Sequence, residues 1–220
     1  MNQYHDIDTR LAPHRLCILG GFHPGPDDTA PAGCRTLLMI GPVEPGYWAH
    51  VTAQPEFADG KPDPVDRWSR RIIGRLACDL GGKAIFPFGG PPYQPFITWA
   101  QRTGRTSASP VSLLVHDTAG LMVSFRGALA LKSHIALPAP AASAPCIDCA
   151  APCQTACPVN ALTPQGYDTD ACHSHLRTKA GSDCLERGCR ARRACPLSQS
   201  YGRTDAQSAY HMAQFHRGSP

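Results

Sequence analysis

Eight of the eleven cysteines fall between residues 146 and 195, and their order is regular. CIDCAAPCQTACP sets Cys146, Cys149, Cys153 and Cys157 at C-x2-C-x3-C-x3-C, with Pro158 after the last. Three thiolates so spaced can wrap one face of an iron–sulfur cubane while loop N–H groups point at its sulfides. A fourth, held just before a proline, is directed away, and in bacterial two-cluster ferredoxins it serves the other cluster. Cys172, Cys184, Cys189 and Cys195 form a second set that also closes on Cys-Pro, at Pro196. Two such sets imply two [4Fe–4S] clusters with crossed ligation. Cys146, Cys149, Cys153 and Cys195 are expected on one, and Cys157, Cys172, Cys184 and Cys189 on the other. The longer C-x4-C-x5-C loops leave open which cluster Cys184 and Cys189 each serve. Zinc is the competing reading, but zinc sites favour closely spaced cysteine pairs closed on themselves and do not require a proline after each final cysteine.

The residues around the thiols fit a buried negative charge. An oxidised cubane with four thiolates is doubly negative, and Lys179 with Arg187, Arg190, Arg192 and Arg193 could offset it. The plain alternative for that arginine run is a solvated face. His173 and His175, just past Cys172, are readable as ligands, as donors to sulfur or simply as surface histidines.

These thiols need a scaffold, and the chain divides into candidate parts. ALPAPAASAP (136–145) has no charge and no helical or strand period, so it reads as a semi-rigid spacer. It separates an expected domain at 1–135 from one at 146–220 that ends in a tail. Upstream, RLCILGGF (15–22), RTLLMIGP (35–42) and KAIFPF (83–88) read as buried strands bounded by Gly and Pro. Between them, Asp63 is a candidate N-cap and Pro64 a first helical residue. Val65, Trp68, Ile72, Leu76 and Leu80 then mark one helix face, stopped by Gly81-Gly82. GGPPY (89–93) is a turn and PFITWAQR (95–102) a short helix. VSLLVH (111–116), DTAG and LMVSF (121–125) suggest a hairpin, and DAQSAYHMAQFH (205–216) an amphipathic helix packed back over the thiols. The expected class is α+β layered. Cys17, Cys34 and Cys78 lie in or beside apolar segments and are expected to be packing residues.

Composition removes several function classes. Residues 1–140 carry 13 basic and 11 acidic side chains and residues 141–220 carry 8 and 6, so neither part has the basic stripe of a nucleic-acid binder. No apolar run approaches the ~20 residues of a membrane span, and MNQYHDIDTR is no secretory leader. A cytoplasmic protein is expected, where clustered cysteines mean metal or catalysis more often than disulfides.

Taken together, CIDCAAPCQTACPVNAL, YDTDAC (167–172) and GCRARRACPLSQ (188–199) resemble the two-cluster ferredoxin domain of epoxyqueuosine reductases and corrinoid reductive dehalogenases. DPVDRWSRRIIGRL (63–76), VSLLVHDTAGLMVSFRGALAL (111–131) and HIALP (134–138) resemble CblC-type cobalamin-processing proteins. The resemblance implies a nitroreductase/flavin-reductase-like domain followed by a small ferredoxin-like one, with electrons passing through the clusters to a cobalamin. It implies His116 and Gly120 as a His-containing loop at the corrin and Arg126-Gly127 as an Arg-Gly turn. Gly89, Gly90 and Tyr93 could face a flat cofactor. A satisfied strand-end histidine at His116 and an Arg126–Asp117 pair are the alternatives. The third cysteine stands at x3 where the family has x2, and no tRNA-binding repeats follow within the 220 residues, which argues against the tRNA reaction. The implied activity is that of an iron–sulfur/cobalamin reductase fed by a donor of the reduced ferredoxin or flavodoxin type. A ferredoxin-type carrier without a corrinoid and a flavin-dependent reductase are the competing functions.

Overall fold

The computed structural model describes residues 3–140 and 143–217, and among them the fold is mixed α+β with ten helices and small antiparallel sheets. In chain order the elements begin α1 (Gln3–Leu11), β1 (Leu16–Phe22), β2 (Thr36–Pro42), α2 (Tyr47–Thr52), α3 (Pro55–Ala58) and α4 (Pro64–Asp79). Next come β3 (Lys83–Ile85), α5 (Phe96–Arg102), β4 (Thr106–Ala108), β5 (Leu114–His116) and β6 (Gly127–Leu131). The rest are β7 (Leu162–Thr163), β8 (Gly166–Tyr167), α6 (Thr169–Leu176), α7 (Ser182–Arg187), α8 (Arg190–Ala194), α9 (Pro196–Tyr201) and α10 (Asp205–Arg217). No helix among the described residues is long and apolar enough to cross a membrane.

Two compact units result: Met1–Arg105 with Ser124–Ala141, and Thr106–Val123 with Ala142–Pro220. The last of these breaks falls inside the Ala/Pro stretch, of which residues 141–142 lie outside the described residues, as do 218–220 of the tail. The expected split at 135 is corrected at Thr106–Val123, which belongs with the cysteine-rich unit. Val111, Val115 and Leu121 are almost fully buried there, in one apolar cluster with Cys153, Leu162, Ala191 and Cys195. Burial of apolar surface, not adjacence in sequence, decides membership.

The first unit is a four-stranded antiparallel sheet, ordered β1-β2-β6-β3. All of β2 and β6 is buried, because both strands are central and both faces are covered. α4 supplies much of that cover through Val65, Trp68, Ile72, Ile73 and Leu76, while Arg75 stays outside. Its start matches the expected position but not the expected cap. Asp63 adopts a left-handed conformation with no side-chain cap bond, and its carbonyl accepts from the Asp66 and Arg67 N–H groups. At the other end the Gly81 and Gly82 N–H groups bond back to the Cys78 and Ala77 carbonyls. Cys17 and Cys34 are half-buried, whereas Cys78 is exposed and so is no packing residue.

The expected hairpin of 111–116 with 121–125 is replaced by another pairing. β5 pairs with β4, Thr106 opposite His116, and only a single bridge joins His116 to Gly120. Residues 121–125 form no strand; their groups are claimed by side chains from later in the chain. The Ser198 hydroxyl accepts from the Leu121 N–H at 2.9 Å, and Arg192 and Arg203 donate to the Leu121 and Met122 carbonyls at 3.0 and 3.2 Å.

Candidate metal centre

The second unit spreads its cysteines over short elements, each with a local reason. Ala151 and Asn160 both take left-handed conformations, which bends the two cysteine-bearing loops back on themselves. As a result the Ala151 N–H donates to the Cys149 sulfur at 3.4 Å and the Ala161 N–H to the Cys157 sulfur at 3.3 Å. Cys153 sits in a single 3-10 turn, Pro152–Gln154. Cys172 lies in the first turns of α6, whose N-cap Asp168 accepts from the Ala171 N–H at 2.9 Å. Cys184 is in α7, and its sulfur accepts from the Arg190 N–H. Cys189 caps α8, and Cys195 stands extended between α8 and α9. Pro196 explains the last break, since a residue before proline avoids helical geometry.

The eight thiols gather into two groups. Cys153 and Cys195 are buried in the apolar cluster against which Cys146 and Cys189 also pack. Burial pushes the Cys146 thiol up, and the neighbouring Cys149, Cys153 and Cys195 push it further. Cys157, Cys172, Cys184 and Cys189 instead line one small apolar pocket with Leu162, Tyr167, Leu176 and Met212. Burial raises the Cys172 thiol while the Tyr167 hydroxyl lowers it; Cys189, Cys157 and Cys184 add to the rise. Cys184 and Cys189, which spacing left open, line the same pocket as Cys157 and Cys172, and Cys189 also packs against the Cys153–Cys195 cluster.

Among the described residues no three His, Cys, Asp or Glu side chains converge tightly enough for a single metal ion. The chemistry and number of the donors, four thiols to a group with backbone N–H bonds at Cys149, Cys157 and Cys184, suit a four-iron core.

The surroundings differ from both simple expectations. Asp183 collects the arginines: Arg193 pairs with it closely, and Arg187 and Arg190 lie 3.6 and 3.8 Å away. Arg187 also reaches Asp205 at 3.0 Å. The run is therefore an ion-pair network at the surface, in which Arg187 and Arg190 stay exposed as a solvated face would have them and Arg193 is mostly covered. His173 is buried rather than on the surface, stacked on Phe215 at 4.4 Å between ring centres. His175 borders the Cys157–Cys189 pocket, and its Nε2 is buried with no partner among the described residues. The sequence signal for His173 lay in α10, more than forty residues downstream.

The expected cofactor contacts are divided between the two units. His116 and Gly120 belong to the second unit, and Arg126, Gly127, Gly89, Gly90 and Tyr93 to the first. His116 is fully buried, and its Nδ1 accepts from the Thr118 and Ala119 N–H groups at 3.1 and 3.3 Å. Gly120 has a packing role: at φ +56, a Cβ there would stand 2.5 Å from the Ser198 nitrogen. Arg126 is buried, pairs with Asp66 rather than Asp117, donates to the Ser69 hydroxyl at 3.1 Å and lies over the Phe88 ring. Gly127 is wedged against Ile73 and the Ile85 carbonyl. Gly89, Gly90 and Tyr93 remain on an exposed loop, Tyr93 at 73% exposure. The first unit also carries a cleft of about 790 Å³ lined by Asp6, Ile7, Arg10, Leu131, Ser133, His134 and Ile135. None of the expected contacts borders it, although the HIALP segment does.

No family model, no curated protein and no solved structure matches this chain.

Proposed function

We propose that the chain is a two-cluster iron–sulfur protein that carries electrons. Cys146, Cys149, Cys153 and Cys195 would hold one [4Fe–4S] cluster, and Cys157, Cys172, Cys184 and Cys189 the other. The observation that carries the reading is that Cys157, Cys172, Cys184 and Cys189 line one pocket, while Cys149, Cys153 and Cys195 neighbour Cys146. Bound there, the clusters would supply one-electron chemistry at low potential. The chain's own part is to shield them with Val111, Leu121, Leu162 and Leu176, to donate backbone N–H bonds to sulfur and to balance charge with the arginine network. The ferredoxin-like name for this unit belongs to the same proposal.

The test is anaerobic loading with iron and sulfide, followed by iron counting and low-temperature EPR. Cys195→Ser should remove the same signal as Cys146→Ser, and Cys157→Ser the same signal as Cys172→Ser. Full retention of iron in Cys149→Ser or Cys157→Ser would break the ligand assignment.

A second reading makes a corrinoid in the nitroreductase-like first unit the electron acceptor. The cleft at His134 favours it, because about 790 Å³ lies within the ~300–1,000 Å³ typical of small-molecule sites. Hydroxocobalamin added to the iron-loaded protein should shift to a base-off spectrum and then be reduced at the clusters' expense. Cobalamin that stays unbound leaves the carrier reading, with flavin the next ligand to add.

A further inference from the structure

Tyr167 ends the β7–β8 hairpin five residues before Cys172, and its hydroxyl donates to the Cys172 sulfur at 3.2 Å. Every other donor to a cysteine sulfur named above is a backbone N–H. The phenol is also held from behind. Its ring stacks on Phe215 at 5.9 Å and 15°, and His173 also stacks on Phe215, at 4.4 Å and 15°. His173 Nδ1 in turn lies 3.1 Å from His216 Nδ1. The last turn of α10 thus supports Tyr167, α6 and Cys172 together.

We propose that Tyr167, clamped by Phe215, is a positioning residue that raises the reduction potential of the cluster held by Cys157, Cys172, Cys184 and Cys189 above that of its companion. A donor to a thiolate withdraws charge from the sulfur and favours the more negative, reduced cluster, and bonds to cluster sulfurs are a recognised control on potential. A hydroxyl bond to a charged acceptor is of the stronger kind. In the other set, Cys146, Cys149, Cys153 and Cys195 show no side-chain hydroxyl donor among the described hydrogen bonds. The inference rests on the two-cluster reading.

The experiment is an EPR-monitored redox titration of the full, iron-loaded chain, compared with Tyr167→Phe, Phe215→Ala and Tyr167→His. Tyr167→Phe should keep its iron and lower one midpoint by a change of about tenfold in the reduction constant, about 59 mV for one electron. The other midpoint should not move. Phe215→Ala should lower the same midpoint by less, and Tyr167→His, which restores a donor, should recover part of the shift. Pulsed ENDOR in deuterated water should show an exchangeable proton coupled to one cluster that Tyr167→Phe lacks. Unchanged midpoints with full iron overturn the inference while leaving the two clusters standing. Loss of iron in Tyr167→Phe that Tyr167→His does not repair also overturns it, by making the residue a scaffold. A wild-type chain that takes up no iron overturns the two-cluster reading itself.

Discussion

Arg126 shows how a side chain can resemble a ligand contact and yet be fully used inside the fold. Its guanidinium is desolvated, bonded to Asp66 and Ser69, and covered by the Phe88 ring. Removing one partner of a buried charged bond usually costs more than the bond itself contributes, because the other partner is stranded. Asp66 is about a third exposed and can regain water, which moderates the loss. Arg126→Met should therefore destabilise the protein by about 2 kcal/mol in urea unfolding. An unchanged midpoint would return Arg126 to the list of ligand contacts. The proposed cysteine sets rest on Cys-Pro, a local, repeated signal in the sequence. The roles of Arg126 and His173 were not, since Ser69 and Phe215 approach them only through the fold, 57 and 42 positions away.

Elements were legible where one pattern ran long enough. β1, β2 and α4 lie where their apolar runs placed them, because central strands and a long amphipathic helix depend on burial alone. The segment 111–125 misled because Leu121–Phe125 is as apolar as a strand but surrenders its backbone groups to Ser198, Arg192 and Arg203. That docking requires Gly120. Its left-handed φ and the 2.5 Å a Cβ would stand from the Ser198 nitrogen leave no room for a side chain. Ser198 is three residues past Cys195, so displacement of α9 moves a proposed cluster ligand. Gly120→Ala should cost about 1–3 kcal/mol for the backbone strain alone. It should also lower iron retention at the Cys146–Cys195 site, read as loss of that cluster's EPR signal. Equal iron in wild type and variant would show that α9 is not tied to the loop in this way.

On the scale of the molecule, the chain passes between the two units three times, and the short excursion Thr106–Val123 completes the cysteine-rich one. Nothing in its composition announces that, because Val111, Val115 and Leu121 would suit either core. Their burial of 0–1% exposure each occurs against Cys153, Cys195 and Ala191. At about 1.5–3 kcal/mol per fully buried apolar side chain, three of them contribute about 4.5–9 kcal/mol. A small domain is stable by only about 5–15 kcal/mol in all, so the excursion decides whether this unit folds. The Ser112 hydroxyl, bonded to the Thr163 carbonyl at 2.7 Å, and the Leu121 N–H, bonded to Ser198, add polar ties that water would otherwise compete for. A fragment of residues 106–220 should therefore load iron and unfold cooperatively, whereas 142–220 should load little and show no cooperative melt. The comparison separates two origins of the fold. If the clusters alone organise this unit, both fragments will take up iron equally. If the apolar cluster organises it first, only the longer fragment presents four thiols to each cluster before iron arrives.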